Sequence, residues 1–235
     1  MKTSKPIGIF GICLTSSLLA LSAYAWTPAI DDETAKAIVD GVYRRGPDVP
    51  TSLNLNLSVK AGAFVGDAKM VEVYAGDASC LNDWLGRPND YAVLGSRPTS
   101  VAVAGQGDYA KAAALDARDN FKTLTPAAAL EVARKGLPDG HLRVFMRIEG
   151  LAKDSLRDAY QVGVLDANAK VVTPYKITFL DDWAQKGKTW AGTMVYYFDL
   201  SKGKVIPTGV LPVLIRTEAQ SDCAFKVSLN LSIFK

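Results

Sequence analysis

The sequence predicts a mainly β (α+β) protein: an antiparallel, immunoglobulin-like β-sandwich with a helical insertion and a short N-terminal helix. Three observations predict it. Runs of strict apolar/polar alternation occur along most of the chain, and from residue 142 onward they return every ten to fifteen residues with turn signals between them. Helical periodicity is confined to residues 31–46 and to an insertion at 105–137. Two cysteines, Cys80 and Cys223, flank early and late strands.

Residues 1–25 read as a secretory signal peptide. Lys2 and Lys5 form a basic start, Ile7 to Leu21 form an apolar run too short for a membrane span, and Ala23-Tyr24-Ala25 offers the small-x-small cleavage pattern. Cys13 follows Ile12 inside that run, which does not fit a lipidation site. No other run is long and apolar enough for a transmembrane helix. The expected address is therefore exported: periplasmic, cell-surface or extracellular. The chain holds 27 basic and 24 acidic residues. With Lys2 and Lys5 removed, 25 stand against 24, a net charge of about +1. Without a like-charge block, no nucleic-acid partner is expected.

Cys13 leaves with the leader, so Cys80 and Cys223 remain as a pair, and an oxidising compartment joins such pairs. Their bridge closes a loop of 144 residues counted inclusively, worth roughly 4–5 kcal/mol in the chain-entropy account.

Residues 26–50 are expected to form the N-terminal helix and a linker. In 31–46, Ala35, Ile38, Val39 and Val42 share one face, with acids at the start and Arg44, Arg45 and Gly46 at the end. Residues 51–235 are expected to form a single β-rich domain. Strands are predicted at 52–59, 69–75, 100–104, 142–149, 159–165, 170–180, 188–198, 210–217 and 227–233. In Asp166-Ala167-Asn168-Ala169, Asn168 is the residue expected to turn left-handed. Within the insertion, Asp108 starts one helix; Thr125 caps a second that has Pro126 in its first turn and ends at Gly136.

One strand is written almost twice. SLNLNLSVK at 52–60 sets Leu53, Leu55, Leu57 and Val59 against Ser52, Asn54, Asn56 and Ser58. VSLNLSIFK at 227–235 repeats the design with Leu229 and Leu231. Both strands are expected to have one core face and one polar face. A sharper expectation makes them neighbours in one sheet.

Few side chains here suit catalysis. His141 is the only histidine, and it follows the turn Pro138-Asp139-Gly140, so no two-histidine metal site is possible and no metal is expected. Gly105-Gln106-Gly107-Asp108-Tyr109-Ala110 has the outline of a dinucleotide fingerprint, but Asp108 would repel a pyrophosphate. No cofactor is expected. The aromatic-rich stretch Trp183 to Phe198 suggests a platform for sugar rings. Trp183, Trp190, Asp181 and Asp182 are the candidate ligand-binding residues, although Trp190, Tyr196 and Phe198 share the parity of a core face.

The function expected from these features is a non-catalytic binding or structural module of the cell envelope, its partner an envelope protein or glycan. Two alternatives follow from the same residues. One is an exported polysaccharide hydrolase using Asp181, Asp182 or Glu149. The other is a small outer-membrane β-barrel.

Overall fold

The structure, a computed structural model, describes residues 25–66, 70–202, 205, 209–219 and 222–235. The expected leader, apart from Ala25, lies outside the described residues. The chain is mostly β with some helix, and its main sheets are antiparallel. The first sheet (sheet A) runs β1 (Ser52–Asn56), β5 (Arg97–Ala104), β6 (His141–Leu151), β11 (Thr189–Asp199); β9 (Lys176–Phe179) and β10 (Ala184–Lys186) share the far side of β11. The second (sheet C) runs β4 (Val71–Ala75), β13 (Ala224–Asn230), β12 (Val210–Arg216), β7 (Gln161–Leu165), β8 (Val171–Val172). A small hairpin (sheet B) pairs β2 (Val59–Lys60) with β3 (Ala63–Phe64).

Alternation gives each sheet one apolar face, and both faces feed one core. Val101, Val144, Met146, Met194 and Tyr196 of sheet A cluster with Val164, Val213, Phe225 and Leu229 of sheet C. Each sheet ends in open edge strands, so the described residues form no barrel, and that expectation is set aside. The immunoglobulin-like strand order is not confirmed by these pairings. A polar tie joins the sheets at one end. Glu218, just after β12, accepts hydrogen bonds from the Ser96 backbone N–H (2.8 Å) and hydroxyl (2.7 Å), and Ser96 also bonds Tyr160. Burial raises the Tyr160 phenol far above its ordinary value.

The expected helices are present. α1 (Asp32–Val42) buries Ala35, Ile38, Val39 and Val42 and is capped by Asp31, whose carboxylate accepts from Thr34 N–H. It stops earlier than Gly46 suggests. Arg45 pairs back to Asp40 at 3.0 Å, and Arg44 takes the left-handed turn. α4 (Gln106–Asp119) begins two residues before Asp108, and α5 (Pro126–Gly136) has the Thr125 cap. These three helices share their own small core of Ile30, Ile38, Val39, Ala110, Ala114 and Leu130. Two short helices went unforeseen: α2 (Ser79–Gly86) and α3 (Tyr91–Leu94). In the 166–170 turn the left-handed residue is Ala169, not Asn168. Asp166 accepts from the N–H of both Asn168 and Lys170, which places the reversal one residue later.

Cys80 and Cys223 are joined, with Cα atoms 5.6 Å apart. The bridge ties the first turn of α2 to the start of β13, beside the β4–β13 pairing. Gly76 makes room for it, because a Cβ there would lie 2.7 Å from the Cys80 sulfur.

The repeated strands are not neighbours. β1 pairs β5 in one sheet and β13 pairs β4 and β12 in the other. What they share is a way of stopping. Asn56 accepts from Ser58 N–H at 2.9 Å, and Asn230 accepts from Ser232 N–H at 2.9 Å. In each copy Asn-Leu-Ser closes an Asx turn that ends the strand and drops the leucine, Leu57 or Leu231, into the core.

Candidate functional site

The outer face of sheet A carries three side-chain rows set by strand register. The first is Asn56, Ser100, Arg147, Thr193; the second Asn54, Ala102, Phe145, Val195; the third Ser52, Ala104, Arg143, Tyr197. Because the pleat alternates, these are the residues that cannot reach the core. Small Ala102, Ala104 and Ser100 beside large Phe145 and the arginines leave a trough of about 350 Å³. Ser52, Asn54, Phe145, Arg147, Thr193 and Asp108 are among its lining residues. The polar face of SLNLN therefore has a place: it is one wall of this trough.

Both arginines are held. Asp182 accepts from the Arg147 guanidinium (2.7 Å), from the Thr193 hydroxyl (2.6 Å) and from the Thr193 backbone N–H (2.8 Å). Both carboxylate oxygens are thereby engaged, which fixes Arg147 across the strands. Arg143 is nearly buried. It pairs with Asp108 of α4 at 2.6 Å and lies over the Tyr109 ring, 3.9 Å from its centroid. Gly136 of α5 lets Tyr109 sit there, since a Cβ would come within 2.6 Å of the ring. The helical insertion thus closes one end of the trough. Tyr109 and Tyr197 lie together at that end, near Arg143. Burial raises the Tyr109 phenol, while Tyr197, also lifted by burial, is brought below its ordinary value by hydrogen bonds with Thr178 and Tyr109 and by Arg143.

The sequence-predicted residues divide across β11. Asp182 reaches the outer face through Thr193. Trp183, the next residue, lies over Gly192, where a Cβ would meet its ring at 2.3 Å. Its indole N–H donates to Thr193 O, its ring meets Phe179 edge-on, and Arg157 stacks near both. It packs against the core, as does Trp190. Asp181 is exposed. None of Asp181, Trp183 and Trp190 lines the trough. His141 begins β6 after the expected turn, its Nδ1 near Asp139 O at 3.0 Å and its Nε2 4.0 Å from Asp199. Gly105 to Ala110 is a strand-to-helix turn whose Asp108 is engaged by Arg143. Lys186 holds Glu149 at 2.8 Å.

Sequence reasoning missed Arg143, Phe145 and Arg147. Their signal was present in LRVFMRIE, where one parity reads Arg, Phe, Arg, Glu. Among the described residues no group of three or more His, Cys, Asp or Glu is placed to hold a metal, and no helix is long and apolar enough to cross a membrane. No protein-family model matches the chain, and no curated protein or solved structure is significantly similar to it.

Proposed function

We propose that the protein is an exported, non-catalytic binding module of the cell envelope, an immunoglobulin-like β-sandwich that holds a glycan in the trough on sheet A. The observation that carries the reading is the trough's lining. Hydroxyls (Ser52, Ser100, Thr193), an amide (Asn54), a fixed guanidinium (Arg147) and a carboxylate (Asp108) surround one aromatic ring, Phe145. Sugar rings offer an apolar face and a rim of hydroxyls, which suits such a surface. In this reading Asp182 serves by orienting Arg147, since both of its oxygens accept from Arg147 and Thr193.

The test is affinity electrophoresis through gels containing solubilised peptidoglycan fragments or acidic envelope polysaccharide. The native protein is expected to be retarded, and Arg147→Ala and Asn54→Ala to lose most of that retardation. Absence of retardation for the native chain, or equal retardation of both variants, overturns the reading.

A further inference from the structure

The outer face of sheet C holds a second, differently built hollow. It spans all five strands, from Tyr74 on β4 past Ala224, Leu214 and Gly163 to Val171 on β8. Four strand spacings of about 4.8 Å give it a length of roughly 19 Å. Its volume is about 250 Å³. Ala224 leaves the hollow open for want of bulk, while Gly163 lets Val171 lean in as its far wall, so closely that a Cβ there would meet the Val171 methyl at 3.0 Å. Leu214 forms a nearly buried floor, and Tyr74 and Val171 are exposed walls.

Charge is sparse and one-sided there. Arg216, opposite Gln161 in the register, lines the hollow, and its guanidinium has no hydrogen bond or ion pair among the described residues. The adjoining Lys226 is already matched by Glu72 at 2.7 Å. A largely apolar cleft with one guanidinium at its side that is unpaired among the described residues complements an unbranched apolar chain with one anionic head. Gln161 and Thr173 also line the hollow, but along Leu214 and Val171 the hydroxyls of a glycan would find no partner.

We infer that this cleft binds a medium-chain alkanoate, the chain lying across the strands over Leu214 and Ala224 against the Val171 wall and the carboxylate on Arg216. The site is independent of the trough, which lies on the other sheet.

Calorimetric titration of the folded protein with octanoate and decanoate below their micellar concentrations, and with decanol below its aqueous solubility, tests the inference. Decanoate is expected to bind saturably at one site and about 2- to 4-fold more tightly per added methylene than octanoate. Arg216→Gln is expected to weaken decanoate about tenfold and to leave decanol unchanged. Val171→Asp, an exposed wall position whose replacement does not threaten folding, is expected to weaken both, and Arg147→Ala neither. No saturable decanoate binding, equal affinity in Arg216→Gln, or an affinity indifferent to chain length overturns it.

Discussion

The two outer faces differ in how they treat charge. Sheet A's face carries two arginines, and each is matched: Arg143 to Asp108 of α4, Arg147 to Asp182 of the loop before β10. Among the described residues, sheet C's face has one matched pair, Lys226 and Glu72, and an Arg216 without an ion-pair partner beside an apolar cleft. The difference follows from what each face meets. A helical insertion and a loop reach over sheet A and bring partners for its cations. The hollow on sheet C is lined mainly by apolar groups such as Leu214, Ala224 and Val171, with Gln161, Thr173 and Arg216 beside them. A surface with fixed polar groups recognises polar ligands by direction, whereas a cleft lacking them recognises apolar chains by shape.

Several changes would break or sharpen that contrast. The largest effect is expected from the disulfide, which ties sheet C and not sheet A. Replacing Cys80 and Cys223 by serine should cost roughly 4–5 kcal/mol in guanidinium unfolding. Hydrogen exchange should show β4 and β13 losing protection before β5 and β6. Equal loss in both sheets would mean that the bridge does not act locally.

Next comes Asp108→Ala. It strands Arg143, whose side chain is only 10% exposed, and is expected to cost about 2 kcal/mol. That is below the roughly 3–5 kcal/mol of a fully buried pair, because Asp108 keeps about a third of its surface in water. The matching change on sheet C, Lys226→Ala, breaks a pair whose members are 30% and 58% exposed and should move stability by less than about 1 kcal/mol. If the two substitutions cost the same, the faces do not differ in the way proposed.

A smaller effect serves as a reference away from both faces. Asp31 caps α1, and Thr34 N–H holds its carboxyl below the ordinary value. A depressed acid stabilises the fold above its unfolded pKa and loses that contribution as pH falls through the folded one. Asp31→Ala should therefore lower stability by about 1 kcal/mol at neutral pH. The difference between the variant and the native chain should shrink below about pH 4.

Much of the framework was legible. The helix α1 face, the Thr125 cap, the Cys80–Cys223 pairing and the cores of β6 and β11 all follow from local periodicity or from a compartment rule. The turn at Ala169 and the early end of α1 were misplaced because a side chain, Asp166 or Arg45, bonded across the turn and moved it by a residue or more. The short helices α2 and α3 were unreadable for a related reason. α2 buries only Cys80 and Trp84, and α3 buries no residue, too little to set a period.

The site was harder to read than the fold. Asp182 was a candidate by residue type, yet its partners, Arg147 and Thr193, lie 35 and 11 residues away and meet it only through the β6–β11 register. Trp183 looked like a surface platform, but Gly192 gives it a seat against the core. The doubled Asn-Leu-Ser suggested adjacency and instead marks two separate strand ends.

The most direct test of the central claim is a map of amide shifts in the isotope-labelled protein titrated with solubilised peptidoglycan fragments. The account predicts that the perturbed amides cluster at Asn54, Ala102, Phe145, Arg147 and Thr193, with sheet C silent. Perturbations centred on Leu214 and Gly163, or none at all, would contradict it.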